Sequence, residues 1–127
     1  MAATRAFVEH VAIHVRDIAW HLRFFSEVLG MTMREVDGDP ANPRQAWTTG
    51  GMQFIANPGH SGAEGRLAHL GVIAEDVEAA IAAAHAFGVE SLPGKRDWLR
   101  LPDGLVVELL PARAGAVAEV LAIAPRG

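Results

Sequence analysis

The chain has 127 residues, half of them hydrophobic, which suits one domain with a real core rather than two full-sized ones. Formal net charge is −4, and the ten arginines and one lysine are spread along the chain without a basic stripe, which argues against a nucleic-acid partner. Cysteine is absent, so disulfides and thiolate chemistry are excluded, and any metal must be bound by His, carboxylate or amide ligands. Met1 to Phe7 lacks the long apolar run of a signal peptide. The most apolar helical stretch, Val77 to Val89, is too short to span a bilayer. The expectation is a cytoplasmic protein with no membrane partner.

Val8 to Val15 is rich in branched residues and reads as a strand. Asp17 is placed to cap a helix, because its carboxylate accepts the free backbone N–H groups of a first turn. That helix sets Ile18, Leu22, Phe25 and Leu29 on one face and runs to Gly30, where a left-handed residue is wanted. Three short strands follow, Thr32–Val36, Gln45–Thr49 and Met52–Asn57, with Gly50-Gly51 as the hairpin turn between the last two. The stretch from Asn57 to Gly65 holds Pro, His, Ser and three glycines and reads as a linker.

The pattern then starts again. Leu67 to Ala74 reads as a strand, Asp76 as a cap, and Val77, Ile81 and Ala84 as the apolar face of a helix ending at Gly88. The alanines around that face let the helix lie close to a sheet. Glu90–Leu92, Asp97–Leu101 and Leu105–Leu110 read as strands, with an Asp103-Gly104 turn before the last. Gly115 to Ile123 forms a short apolar helix that covers a core edge or a subunit contact. The order is β-α-β-β-β twice: module one at about residues 7–57, module two at about 66–111, and a tail at 112–127 of one domain. The fold class expected is α+β, with the two modules forming a curved mixed sheet around a metal-binding cavity.

The repeat carries the chemistry. His10 falls on His69 and Asp17 on Asp76, each 59 positions later. Gln53 and Glu108 are equivalents too, since each lies a few residues after the glycine of a hairpin turn, on the last strand of its module. If the modules pack about a local two-fold axis, His10, His69, Gln53 and Glu108 converge. Glu108 interrupts the apolar run Val107, Leu109, Leu110, where an unpaired charge is costly. Two imidazoles and a carboxylate are a standard set for one divalent ion, whether Ni, Co, Mn, Fe or Zn, with positions left for substrate. For His10, His69 and Glu108 the metal reading outweighs the structural one. For Gln53, an exposed polar position on an alternating strand competes evenly.

The stretches HVAIHVRDI, FFSEVLGM, HLGVIAEDV and LPDGLVVELLP resemble the vicinal-oxygen-chelate superfamily. It includes glyoxalase I, methylmalonyl-CoA epimerase, extradiol dioxygenases, and the fosfomycin and bleomycin resistance proteins. The resemblance covers about residues 7–111. It implies one ligand from the first and one from the last strand of each module, here His10, Gln53, His69 and Glu108. A His-Gln-His-Glu set resembles the epimerase more than the bacterial glyoxalases. The triad without Gln53 resembles the dioxygenases.

These residues give three readings. The first is a glyoxalase- or epimerase-like lyase or isomerase acting on a small carbonyl substrate through a metal-stabilised enediolate, with Glu108 or His14 moving the proton. The second is an extradiol-type dioxygenase using Fe(II) or Mn(II), weakened because such enzymes usually carry four modules. The third is a drug-binding resistance protein without catalysis, ranked last because the ligand set is intact. A homodimer is expected, because an exposed sheet edge is a liability. His14 shares a face with His10 and is either an acid/base group or a hydrogen-bonded core histidine. His21 and His85 on the helices, and His60 in the linker, read as structural or exposed. Trp47 and Trp98, on matching strands, line a pocket or pack in the core. Glu35 lies near where the resemblance sets a second carboxylate, though a solvated Glu is the stronger reading. Arg100 is a weak candidate partner for an anionic substrate group.

Overall fold

A computed structural model describes residues 4–63, 65–102 and 104–125. Its strands are β1 (Ala6–Val15), β2 (Met33–Asp37), β3 (Gln45–Thr48), β4 (Met52–Ala56), β5 (Arg66–Ala74), β6 (Glu90–Leu92), β7 (Lys95–Arg100) and β8 (Val106–Pro111). Its α-helices are α1 (Ile18–Arg23), α2 (Val77–Ala86) and α3 (Ala116–Leu121). The fold is α+β with mixed β-structure, in which the strands run in the orders β2-β3-β4-β1 and β5-β8-β7-β6. The pairs β1·β4 and β5·β8 are parallel, while β2·β3, β3·β4, β6·β7 and β7·β8 are antiparallel. No described helix is long and apolar enough to cross a membrane.

The chain forms two compact units, one of residues 10–69 and the other of residues 1–9 with 70–127. In the first, Val15, Ile18 and Phe54 form a buried cluster, with Ile13, Leu22, Phe25, Met52 and Ala56 packed around it. In the second, Ile81, Leu99 and Leu109 do the same, with Val72, Val77, Ala80, Ala84, Val89 and Val107. Each cluster joins the face of a helix to alternate residues of the strands beneath it. Val117 of α3 is also buried.

Both predicted caps form. Asp17 accepts from the Trp20 backbone N–H at 3.1 Å and Asp76 from that of Ala79 at 2.9 Å. Gly30 and Gly88 adopt φ of +67° and +94°, as a helix C-terminus that reverses the chain requires. The Asp103 half of the expected Asp103-Gly104 turn lies outside the described residues.

One expectation fails. The first helix is not a regular α-helix to Gly30: after Arg23 it widens into a π-helical turn, Phe24–Val28. Gly30 lies 13 residues after Asp17, but Gly88 lies only 12 after Asp76, so the first module carries one extra residue between cap and stop. A π turn absorbs a single inserted residue. Ser26 assists, its Oγ donating to the Leu22 carbonyl at 2.7 Å in competition with the backbone. The widening rotates the helix face, so Leu22 and Phe25 pack in the core but Leu29 is 53% exposed.

Candidate metal centre

Strand alternation separates packing from chemistry. On β1, Ile13 and Val15 face the helix, so His10, Ala12 and His14 face the other way. On β4, Phe54 packs under the helix and Gln53 takes the opposite face. The β1·β4 register pairs Ala12 with Gln53, so Gln53 stands between the levels of His10 and His14 on their face. The second module repeats this. Val72 of β5 and Leu109 of β8 enter the core, while His69, Gly71 and Glu108 take the other face. Gly71 is the register partner of Glu108, as Ala12 is of Gln53. In both ladders the histidine lies two residues before a small residue, and the small residue lies beside the candidate ligand. Each ladder extends outward to a tryptophan, Trp47 opposite Gln53 and Trp98 opposite Glu108. Both are half-buried.

His10 and His69 are 5% and 9% exposed, and their Nε2 atoms lie 3.1 Å apart with the rings nearly perpendicular. Glu108, the third expected ligand, lies on β8 in the other unit, where it is half-buried. Gln53 is buried, donates through Nε2 to Gln45 Oε1 at 2.7 Å, and leaves its own Oε1 buried without a hydrogen-bond partner. His14 Nδ1 is likewise buried and unpartnered, and its ring stacks on His60 at a centroid distance of 6.3 Å.

The other candidates have structural roles or none. His60 is buried, with Nε2 2.9 Å from the Ala63 carbonyl oxygen. His21 Nδ1 is 2.7 Å from the Asp17 carbonyl oxygen, and His85 Nε2 is 2.9 Å from Ser91 Oγ. Glu35 is exposed on β2 opposite Trp47, and Arg100 is exposed on β7. Sequence reasoning missed Gln45. Its only signal was alternation with Trp47 on one strand, and its partners become visible only through the register of β3.

A divalent ion fits this donor set. The Nε2 atoms of His10 and His69 are close enough that both would reach one ion. A direct ring-to-ring hydrogen bond accounts for the same distance. The unpartnered amide oxygen of Gln53 favours the cation, because an unsatisfied buried acceptor costs about 1–3 kcal/mol. Burial lowers the His69 pKa, and the charges of His10 and His14 lower it further. The neutral ring, with a lone pair to give, is therefore the favoured state.

That shift has a sign in stability. A His69 pKa held below 6.5 means that, on acidification, the unfolded chain takes up this proton before the folded one. Its contribution is complete above that value and is lost as pH falls towards the lower folded pKa. Metal-free protein is expected to lose stability below about pH 6.5, with His69→Gln showing a shallower loss. Urea midpoints across pH 7.5 to 5 for both proteins measure it; parallel slopes would exclude His69 as the source.

Residues 10–110 match the family model of a glyoxalase-like domain. Among solved structures, the chain is similar to methylmalonyl-CoA epimerase from Mycobacterium tuberculosis at 17% identity, covering 87% of this chain and 91% of that one, with a TM-score of 0.62. A methylmalonyl-CoA epimerase from Streptomyces coelicolor is 19% identical over 87% of this chain and 96% of that one, with a TM-score of 0.63. The 2,3-dioxygenase LapB from Pseudomonas sp. KL28 is 21% identical over 83% of this chain, with a TM-score of 0.61, but the chain covers only 42% of it. At these identities the likeness is one of fold. No curated protein matches the chain.

Proposed function

The chain belongs to the glyoxalase-like domain family of the vicinal-oxygen-chelate superfamily, and on that premise we propose that it is a metal-dependent lyase or isomerase. Its substrate is a small molecule with two neighbouring oxygens, one of them a carbonyl, and the reaction moves a proton at the adjacent carbon. The observation that carries this is the buried His10–His69 pair, whose Nε2 atoms lie 3.1 Å apart within one unit.

His10, His69 and Glu108 would hold the ion, and Gln53 would add its Oε1. When bound, the ion supplies Lewis acidity to the substrate oxygens. The remaining work falls to the chain. His14 lies one alternation beyond Ala12 on the same face, and its buried Nδ1 is the proposed proton acceptor. Trp47 and Trp98 exclude water from the outer side of each ladder. The same triad with iron and O2 would serve catechol cleavage, and the fold likeness to a dioxygenase keeps that as the second reading.

The test is proton exchange. Protein loaded with Co(II), Ni(II), Mn(II), Fe(II) or Zn(II) is incubated in D2O with small 2-hydroxy ketones, 2-oxo thiohemiacetals and 2-substituted malonyl thioesters, and deuterium uptake at the carbon is followed by NMR. Metal-dependent exchange is expected, lowered roughly a hundredfold or more in His14→Asn. Oxygen consumption with a catechol, and no exchange with any carbonyl compound, would replace this reading with the second.

A further inference from the structure

Gln53 is a neutral ligand with two chemically opposite ends, and only the oxygen end can face a cation. In an isolated glutamine the two orientations are close in energy. Something must therefore choose between them.

Three side chains behind Gln53 do so. Arg44 donates to Asp37 Oδ1 at 2.7 Å. Gln45 donates through Nε2 to Asp37 Oδ2 at 3.2 Å. Gln53 donates through Nε2 to Gln45 Oε1 at 2.7 Å. The β2·β3 register makes Asp37 and Gln45 direct partners, and the β3·β4 register sets Gln45 opposite Ile55, two residues beyond Gln53 on the same face. An ionised carboxylate only accepts hydrogen bonds. Asp37 therefore compels Gln45 to present its NH2 group and to turn its oxygen inward. That oxygen accepts only from the NH2 of Gln53, so the Gln53 oxygen must point away from Gln45. The polarity of both amides follows from the carboxylate at the start of the row. Arg44 and then Gln45 hold the Asp37 carboxyl below the usual carboxylate range, so the row keeps its direction at neutral pH. At its far end is the Gln53 Oε1 atom, buried and without a hydrogen-bond partner.

We propose that Gln45, anchored by Asp37, is a positioning residue that fixes the Gln53 amide with its oxygen presented to the divalent ion of the candidate centre. The inference rests on the proposed metal site, with Gln53 among its ligands. The row lies wholly within residues 10–69, and three of its members are not ligands.

The experiment is Co(II) titration of metal-free protein, followed by the visible spectrum of the bound ion and by calorimetry, with the thermal transition of each metal-free variant recorded as a folding control. Gln45→Leu, which removes the acceptor for Gln53, is expected to weaken Co(II) binding about 10- to 100-fold, the usual cost of losing a group that orients a ligand. Gln53→Ala is expected to weaken it at least as much. The decisive variant is the double substitution Asp37→Asn with Gln45→Glu. There the amide NH2 introduced at position 37 donates to the carboxylate introduced at position 45. That carboxylate again accepts from Gln53, so the polarity is rebuilt from different groups without a like-charge pair. Affinity within about threefold of wild type is expected, against the 10- to 100-fold loss in Gln45→Leu. The double variant also stands in for Gln45→Leu should the latter not fold.

Wild-type affinity in Gln45→Leu, or a double variant no better than it, overturns the inference and leaves the metal site standing. Wild-type affinity in Gln53→Ala also overturns it and reduces the site to His10, His69 and Glu108. Wild-type protein that binds no Co(II) would instead sink the metal reading itself.

Discussion

His69→Ala is expected to lower the affinity for a divalent ion by at least about a hundredfold while leaving the metal-free protein folded. Losing a group that merely orients a ligand costs roughly 10- to 100-fold, and losing the ligand itself costs no less. The ring belongs to neither hydrophobic cluster, so its removal leaves Val15, Ile18 and Phe54 packed as before. The consequence can be read in heat stability. An ion at a hundred times its Kd stabilises the native state by about 2.7 kcal/mol, but at its Kd by only about 0.4 kcal/mol. At roughly 4 °C per kcal/mol for a chain of this size, the same Co(II) concentration should raise the wild-type Tm by about 10 °C and that of the variant by about 2 °C. Metal content by mass spectrometry should fall in parallel, and His10→Ala should behave alike. Equal metal-induced shifts in wild type and both variants would mean that the pair is a buried hydrogen bond and no ligand.

Much of this arrangement was legible in the chain, because the repeat tied separate residues together. His10 and His69, equivalent at an offset of 59, meet through Nε2. Asp17 and Asp76, equivalent at the same offset, cap helices through Trp20 and Ala79, again 59 apart. Such features depend on local spacing, which a sequence displays. The equivalence of Gln53 and Glu108 reappears as two ladder partners, Ala12 and Gly71. What escaped depended on register between strands distant in sequence. Nothing local links Asp37, Gln45 and Gln53; the β2·β3 and β3·β4 pairings do. The π-helical turn is an intermediate case. No Pro or Gly marks it within Phe24–Val28, yet the one-residue mismatch between the two Asp-to-Gly spans carried the signal.

The largest effect on stability is expected from Phe54→Ala. The ring is fully buried, and its centroid lies 5.1 Å from that of Phe25, beside Val15 and Ile18. Truncating a buried Phe to Ala costs about 3–5 kcal/mol, from lost transfer energy and the cavity left behind. Against a total of about 5–15 kcal/mol, that takes a large share of the native state's margin. The urea midpoint should fall with little change in slope, since the same surface is exposed on unfolding. The substitution also separates packing from chemistry, because Phe54 and Gln53 are consecutive on β4 and face opposite ways. An ion that binds only the native state should restore about 2.7 kcal/mol at a hundred times its Kd, in this variant as in wild type. Co(II) affinity of the folded fraction should therefore stay close to wild type, whereas Gln53→Ala should weaken binding without a comparable loss of stability. A stability loss below about 1 kcal/mol would mean that the cluster collapses around the gap. A fall in Co(II) affinity matching that of Gln53→Ala would show that the core under β4 sets the ligand geometry directly, and that the two faces of the strand are not independent.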